Sequence, residues 1–575
     1  MKFRRLVESF ALIEATSRRL EMFEILSALF AEADEGEIDK VIYLCQGRLA
    51  PAFHGIEMGI SEKLLLRAIS TASGAPTRRV EEIYRRTGDI GLAAEELMAG
   101  RGSLSVEEVY GELSQVARAS GKGSLEVKLN LLQSLLRALS PLEAKYASRF
   151  VAGSLRLGIG DPTVLEALAL SAGERALRPE LERAYNLCSD LGLVARTLRA
   201  EGMESLRRFR VRVGFPIRPA LCERLPSPEE IIAKMGRVAV EAKYDGFRCQ
   251  VHKDGGRVEI FSRNLERTTA MFPEIARAAS EHVAAERAIF EGEALAYSEE
   301  TGELFPFQVT IQRKRKHGIR EISREYPLRF FAFDLLYADG EDFTERPYAK
   351  RREKLESVIR ENPVIAPAEM FVTAEAGEIA GYFERAVERG LEGVVAKRLD
   401  APYAAGARNY NWIKLKRSYR SELADTLDVV IVGYFRGRGA RAALGLGGVL
   451  AAVYDPPSDT FKTISKIGSG FSDEELSELG KTLKASAIPH RHPRVDSLIE
   501  PDAWVEPRHV ITVAADEITR SPSHTAGRDG GGAGYALRFP RAVSSIREDK
   551  NPEDANTVAE IAEMARRQRK VKVQG

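Results

Sequence analysis

The hydrophobic residues of this chain change their spacing twice, so no single kind of element can build the whole molecule. Over residues 1 to about 210 the apolar positions recur at three- and four-residue steps. Leu20, Phe23, Leu26, Leu29 and Phe30 do so, and so do Leu129, Leu132, Leu135 and Leu136. That is the period of one face of an α-helix. Glycine and proline fall mostly between such runs, as at Gly74-Ala75-Pro76 and Gly121-Lys122-Gly123. An all-helical first third is expected.

The first change comes at Gly214-Phe215-Pro216-Ile217-Arg218-Pro219, where two prolines three apart hold the backbone extended. Beyond it, Arg237 to Lys253 and Arg257 to Arg263 flank Asp254-Gly255-Gly256, a hairpin signal. Ala288 to Leu295, Leu328 to Tyr337 and Gly393 to Lys397 read as strands, and Ile379 to Arg389 as a helix. A mixed α+β domain is expected. From about Leu427 short strands follow in quick succession: Asp428 to Tyr434, Gly447 to Tyr454, Phe461 to Ile464, Val510 to Ala514 and Ala536 to Pro540. Such a series between Gly-rich turns predicts a small β-barrel. Ala555 to Lys570 returns to helical spacing and ends basic. The expected division is 1–215, 216–421 and 422–575, three domains for a 575-residue chain.

Lys plus Arg number 85 and Asp plus Glu 84, a net charge of +1 that argues against a uniformly basic coating protein. It leaves open cations gathered in one place and cancelled by carboxylates elsewhere. The four cysteines, Cys45, Cys188, Cys222 and Cys249, are too scattered for a CxxC pair, which points to a reducing interior. No stretch approaches the ~18 apolar residues needed to span a bilayer. A soluble, cytoplasmic, nucleoid-associated monomer is expected.

The sharpest local feature is Glu241-Ala242-Lys243-Tyr244-Asp245-Gly246-Phe247-Arg248, a lysine on a strand that feeds a turn. Alone it is a common tetrapeptide; later residues give it meaning. Glu293 lies in Phe290-Glu291-Gly292-Glu293-Ala294, Glu392 precedes Gly393-Val394-Val395-Ala396-Lys397, and Lys414 and Lys416 alternate in Trp412-Ile413-Lys414-Leu415-Lys416. Alternation puts both ammonium groups on one side of a strand. A lysine, carboxylates at two strand ends and two aligned lysines suit a nucleophilic lysine acting on a phosphate. Neighbouring cations lower the nucleophile's pKa and stabilise a phosphoryl group in transfer, and carboxylates can hold a metal.

The series resembles the ATP-dependent DNA ligases of the archaeal and eukaryotic replicative branch. Glu241 to Arg248 resembles the adenylation motif, Phe261-Ser262-Arg263-Asn264 the second motif and Phe290 to Ala294 the third. Phe331 to Tyr337 resembles the aromatic motif, Glu392 to Lys397 the fourth and Trp412 to Lys416 the fifth. Leu537 to Arg541 through Arg547-Glu548-Asp549-Lys550 resembles the sixth. The first third is similar to the branch's helical DNA-binding domain at Tyr43 to Pro51, Ser154 to Gly160 and Ala184 to Gly192. The resemblance implies an all-α DNA-binding domain, an α+β nucleotidyltransferase (adenylation) domain and an OB-fold barrel with a C-terminal helix.

It also implies a reaction. Lys243 would attack the α-phosphate of ATP and carry AMP, which then passes to the 5′-phosphate of a nick and is displaced by the 3′-hydroxyl, in replication, repair and recombination. By the same resemblance Glu241 reads the adenine amino edge and Phe333 packs on the base, with simple core packing its alternative. Arg248 and Arg263 match ribose- and phosphate-side contacts. Lys397, Lys414 and Lys416 match phosphate contacts, and Arg408 a further nucleotide contact. Glu293 and Glu392 match carboxylates associated with Mg²⁺ or Mn²⁺. Arg541, Arg547, Asp549 and Lys550 would approach the leaving pyrophosphate, pairing with Arg547 being the alternative for Asp549.

Nicked double-stranded DNA is the expected partner, gripped by its backbone without base reading. Gly158-Ile159-Gly160 before Pro162 would let N–H groups approach a phosphate at a helix start. Arg313-Lys314-Arg315-Lys316 and Arg436-Gly437-Arg438 are basic runs suited to DNA or to solvent. A sliding clamp stays an open partner: Arg101 to Val106 lacks the aromatics of a clamp peptide, and Gln46 to Phe53 is a partial match inside a core-like segment. A capping guanylyltransferase would lack the helical third, and an NAD-dependent ligase would carry a zinc-binding cysteine set. An RNA-joining ligase is the competing reading.

Overall fold

The computed structural model describes the chain except residues 300–301, 306, 316–317, 361, 417–425, 438–444, 516, 531 and 575, and the side chains of 307–308 and 567–574. Lys316, Arg438 and the expected boundary at 421/422 lie outside the described residues.

The first third is helical, from Phe3–Ala15 to Met203–Arg207. Several of its helices start where a side chain supplies an acceptor for free N–H groups. Ser105 and Glu108 form a capping box, as do Ser140 and Glu143 ahead of Pro141. One continuous core joins Leu26, Leu29 and Phe30 with Leu129, Leu132, Leu135 and Leu136. Leu20 departs from expectation: it is 64% exposed and stays outside that core.

The middle of the chain forms two sheets. Strands β1 (Leu221–Arg224), β2 (Val238–Lys243), β9 (Met370–Thr373), β10 (Gly393–Arg398) and β11 (Arg408–Lys416) make one, in the order β1-β11-β10-β2-β9. Strands β3 (Phe247–Asp254), β4 (Arg257–Ser262), β5 (Arg287–Ala296), β6 (Leu328–Ala338) and β7 (Glu341–Asp342) make the other, in the order β4-β3-β5-β6-β7, with β8 (Ile365–Pro367) beside β6. The hairpin at Gly255-Gly256 is present, closed by the pair Asp254 and Arg257.

The expected single run from Arg237 to Lys253 is two strands in two sheets. The chain breaks at Tyr244-Asp245-Gly246, where a Cβ on Gly246 would lie 2.5 Å from the Ala294 carbonyl oxygen. Only glycine lets the backbone cross so close to β5. That crossing puts Lys243 at the end of one sheet and Arg248 near the start of the other, facing one cleft.

Apolar residues on the far face of the first sheet (Val240, Ala242, Val394, Ala396, Ile413 and Leu415) pack on helices Pro228–Met235 and Ala376–Glu388. The near face is left to the charged residues of β2, β10 and β11.

Beyond residue 426 lies a third sheet. Strands β12 (Thr426–Phe435), β13 (Gly448–Asp455), β14 (Thr460–Ile467), β15 (Ala487–Ile488), β16 (Val495–Asp496), β17 (Ala503–Ala514) and β20 (Arg541–Ile546) run β15-β17-β12-β13-β14-β16, with β20 on β17. Strands β18 (Glu517–Ser521) and β19 (Gly534–Arg538) pair separately. Pro540 lies outside β19, as its missing N–H would suggest. The tail is the helix Val558–Gln574. Among the described residues no helix is long and apolar enough to cross a membrane.

Candidate active site

Strand register builds the centre of the site. Lys243 on β2 aligns with Gly393 on β10, and Gly393 with Lys416 on β11. Glu392, one residue earlier, is tied to β2 by its N–H, which donates to the Lys243 carbonyl at 3.0 Å. Its carboxylate therefore lies between two ammonium groups. Lys243 Nζ is 2.5 Å from Glu392 Oε2, and Lys416 Nζ pairs with Oε1. Burial acts to lower the Lys243 pKa, but Glu392 and Glu293 outweigh it and hold the ammonium above its ordinary range. Burial acts to raise Glu392, and the two lysines bring it well below the usual carboxylate range.

Across the cleft, Arg248 aligns with Glu293. Burial pushes the Glu293 carboxyl up to about 7, against the attraction of Lys243 and Arg248. Arg248 is held from beneath: its guanidinium pairs with Glu291 at 2.9 Å and donates to the Ala220 carbonyl at 2.8 Å. Tyr403 donates to the same Glu291 oxygen at 2.7 Å. Phe333 is partly buried between two apolar clusters, 5.3 Å from the Arg248 guanidinium and edge-on to Trp412.

Lys397 is placed differently from its expected phosphate contact. Its ammonium is 2.7 Å from Glu241 and donates to the Phe333 carbonyl at 3.0 Å, surrounded by the rings of Phe333, Tyr348 and Trp412. It thus joins Glu241 at the end of the cleft away from Glu392.

The C-terminal segment closes over the other side. Arg263 pairs with Asp554 at 2.8 Å, and Arg408 with Glu560 at 3.2 Å. Burial pushes the Lys414 ammonium down to about 7, with Glu560 opposing and Arg408 and Lys416 assisting. Lys550 pairs with Asp428, and Arg547 with Asp549 at 2.7 Å. Arg547 also feels the charge of Asp245 in the segment that crosses between the two sheets. Arg541 sits exposed at the start of β20.

The expected DNA contacts have mixed placements. Gly158 has φ +65°, and a Cβ on it would overlap the ring of His492, so the C-terminal region covers the Gly158-Ile159-Gly160 loop. Arg313 is fully buried, pairing with Glu274 at 2.7 Å and capping the Tyr326 carbonyl; it is a structural residue rather than a surface cation. Lys314 pairs with Glu266, and Arg436 is exposed. Gln46 and Arg48 both bind Asp161, and Phe53 is buried, so the partial clamp match is used internally.

Glu291, Tyr348, Arg352, Asp554 and Glu560 belong to the site and went unnoticed in the sequence. Glu291 could have been found, since it alternates with Glu293 on β5. The others depend on tertiary contact.

The family described as "ATP dependent DNA ligase domain" matches residues 219–416, "DNA ligase N terminus" residues 2–169, and "ATP dependent DNA ligase C terminal region" residues 442–550. The chain is 50% identical to a probable DNA ligase of Dictyoglomus turgidum, over all of this chain and 99% of that one. It is 45% identical to a DNA ligase of Aeropyrum pernix, over 99% and 98% of the two chains. Among solved structures, mycobacterial DNA ligase D complexed with ATP and MES is 25% identical, covering 59% of this chain and 97% of that one at a TM-score of 0.33. With the motif lysine and its paired carboxylates gathered in one cleft and all three segments matched, the chain belongs to the ATP-dependent DNA ligases of the archaeal type.

Proposed function

We propose that this ligase seals 5′-phosphate/3′-hydroxyl nicks in duplex DNA, with Lys243 as the residue that carries AMP. The observation that carries the reading is the row Lys243–Glu392–Lys416 set by three-strand register at the mouth of a two-sheet cleft. Lys243 Nζ attacks the α-phosphorus of ATP, the bond to the β-phosphate oxygen breaks, and pyrophosphate leaves. The lysine must first give up a proton to solvent, and the ion pair with Glu392 opposes this by holding the ammonium charged. Parting of Glu392 from Lys243, with Lys416 left beside the amine, favours its neutral form. Each later transfer is also a displacement at phosphorus, so positioning and charge stabilisation dominate.

Glu241 serves as base reader, Phe333 as base-packing ring, and Arg248 as ribose-side contact. Lys414, Lys416, Arg263 and Arg408 serve the phosphates once Asp554 and Glu560 release the two arginines. Arg541, Arg547, Asp549 and Lys550 serve the leaving pyrophosphate. Glu293 fits a divalent cation such as Mg²⁺: it is a buried carboxylate with a raised pKa, which a metal charge would return to its ionised form. Glu392 would join it only after parting from its lysines. The cation supplies charge neutralisation at the triphosphate. We assign 1–215 to duplex binding, 216–421 to adenylation and 422–575 to an OB-fold with a C-terminal helix. Bulges at Ile431/Gly433, Ala451/Ala452 and Ile511/Val513 support a strongly coiled sheet there.

Protein incubated with α-labelled ATP and Mg²⁺ should acquire an acid-labile, alkali-stable label, and Lys243→Ala should abolish it. Full labelling of that variant would sink the assignment. Sealing of nicked DNA but not nicked RNA separates this reading from RNA joining.

A further inference from the structure

Glu241 is 2% exposed, and both its oxygens are already engaged within the protein. Tyr348 donates its hydroxyl to Oε1, and Lys397 Nζ lies 2.7 Å from Oε2. Arg352 Nη1 is 3.7 Å from Oε1, buried and with no hydrogen-bond partner of its own, so it acts on the carboxylate by charge.

Tyr348 is fully buried and rigidly mounted. It opens the helix Tyr348–Val358 directly after Pro347, and its N–H donates to the Ala401 carbonyl at 2.9 Å. The next residue, Ala349, donates to the Leu399 carbonyl at 2.9 Å. Arg351 then locks the helix start to Ala401 and to Asp334, the neighbour of Phe333. Arg352 is fixed by Glu356 and by the Ala368 carbonyl, both at 2.6 Å. Tyr348, Arg351 and Arg352 all lie outside the motif stretches read from the sequence.

We propose that Tyr348, supported by Arg352, is a positioning residue that sets nucleotide-base selectivity by holding Glu241 as a fixed, acceptor-only carboxylate. The inference rests on the base-reading role given to Glu241 above. The Tyr348 hydroxyl and the two cations fix the orientation of the carboxylate, and a carboxylate accepts hydrogen bonds without donating any. Each oxygen has two lone pairs, so Oε1 can accept from Tyr348 and from one further donor. An exocyclic amine, as on adenine, supplies that donor. A carbonyl at the same place, as on guanine, meets a fixed anion and is rejected. Without the Tyr348 hydroxyl, Oε1 loses its anchor and the carboxylate can rotate away from the base edge. Selectivity then falls without any loss of the groups that act on phosphorus.

The test is self-adenylylation of the full-length protein in single turnovers, with α-labelled ATP and GTP over a concentration series, for wild type, Tyr348→Phe, Arg352→Gln and Glu241→Gln. Removing one charge-assisted buried hydrogen bond should raise the half-saturating ATP concentration of Tyr348→Phe about tenfold, with a smaller change in maximal rate. Its preference for ATP over GTP should fall by a similar factor, and Arg352→Gln should shift the preference in the same direction by less. Cooperative thermal unfolding identifies folded variants, and Arg352→Gln carries the test where Tyr348→Phe does not fold. An altered preference in Glu241→Gln beside an unaltered one in folded Tyr348→Phe and Arg352→Gln overturns the role of Tyr348 alone. An unaltered preference in Glu241→Gln overturns the base-reading assignment and this inference together.

Discussion

Glu293→Gln should make the free protein more stable while disabling the enzyme. Burial in the cleft pushes the Glu293 carboxyl from 4.5 up to about 7. A carboxyl whose pKa rises on folding binds its proton more tightly in the folded state. Its favourable contribution is complete below the unfolded value of 4.5 and is lost as pH rises through about 7. At about 1.4 kcal/mol per pKa unit, that rise is a burden of roughly 3 kcal/mol at pH 8. The neutral amide removes it; the raised value already includes the attraction of Lys243, so a net gain of about 3 kcal/mol is expected. For a folding unit of about 200 residues this is a rise of roughly 6–12 °C in Tm.

Calorimetry of wild type and variant at pH 8 and pH 5 measures it. The gap should be wide at pH 8 and small at pH 5, where wild-type Glu293 is already protonated in the folded state. Self-adenylylation in Mg²⁺ should fall by about 100-fold, the scale of losing one metal-side charge. A variant no more stable than wild type at pH 8, or one shifted equally at both pH values, would refute the reasoning.

Burial acts to raise Glu560, yet Arg408 and Lys414 hold its carboxyl down at about 2. Glu560→Gln should therefore release Arg408 and lower the ATP concentration for half-maximal labelling several-fold; an unchanged or higher value counts against competition by the tail. Arg351 and Asp334 form an ion pair with both side chains fully buried. Arg351→Met should cost about 3–5 kcal/mol in urea unfolding by stranding Asp334, and a loss under about 1 kcal/mol would show that Asp334 is not left uncompensated. Gly158→Ala places a methyl where the His492 ring sits. Small-angle scattering should then report a larger radius of gyration, and an unchanged one would mean that the two regions part readily in solution. Truncation before Thr426 should impair reaction with ATP more than sealing of pre-adenylated nicks, with equal losses arguing against the pyrophosphate role of the C-terminal region.

What the sequence conveyed depended on how local the cause was. The alternation in Trp412 to Lys416 was enough to put Lys414 and Lys416 on one face, and β11 does so. The helical first third followed from periodicity in the same way. A turn after Lys243 was expected, but its passage into a second sheet was not legible, because the reason for Gly246 is the carbonyl of Ala294, on a strand far along the chain. Lys397 was misplaced for a similar reason: its strand position was right, but its ammonium reaches diagonally to Glu241 across β10 and β2. Arg313 reads as part of a basic surface run until Glu274 and the Tyr326 carbonyl are seen to enclose it. Side-chain destination is a tertiary property, and a run of like charges carries no record of it.

The net charge of +1 takes its meaning from the same contacts. The expectation was that cations gather at the site and carboxylates elsewhere cancel them. In the structure the cancellation is local: Lys243 and Lys416 on Glu392, Lys397 on Glu241, Arg248 on Glu291, Arg263 on Asp554, Arg408 on Glu560 and Lys550 on Asp428. These pairs divide into two kinds. Glu241 and Glu291 lie within the cleft's own two sheets and fix the cations beside them, so they stay through the reaction. Asp554 and Glu560 come from beyond residue 426 and can withdraw with that segment, whereas Asp428 and its partner Lys550 both belong to it. In the proposed reaction a triphosphate would bring its own negative charge to Arg263 and Arg408, and so replace Asp554 and Glu560 without disturbing the first kind. The near-zero charge of the chain is thus the sum of a fixed set of pairs that shapes the pocket and an exchangeable set whose place the substrate can take.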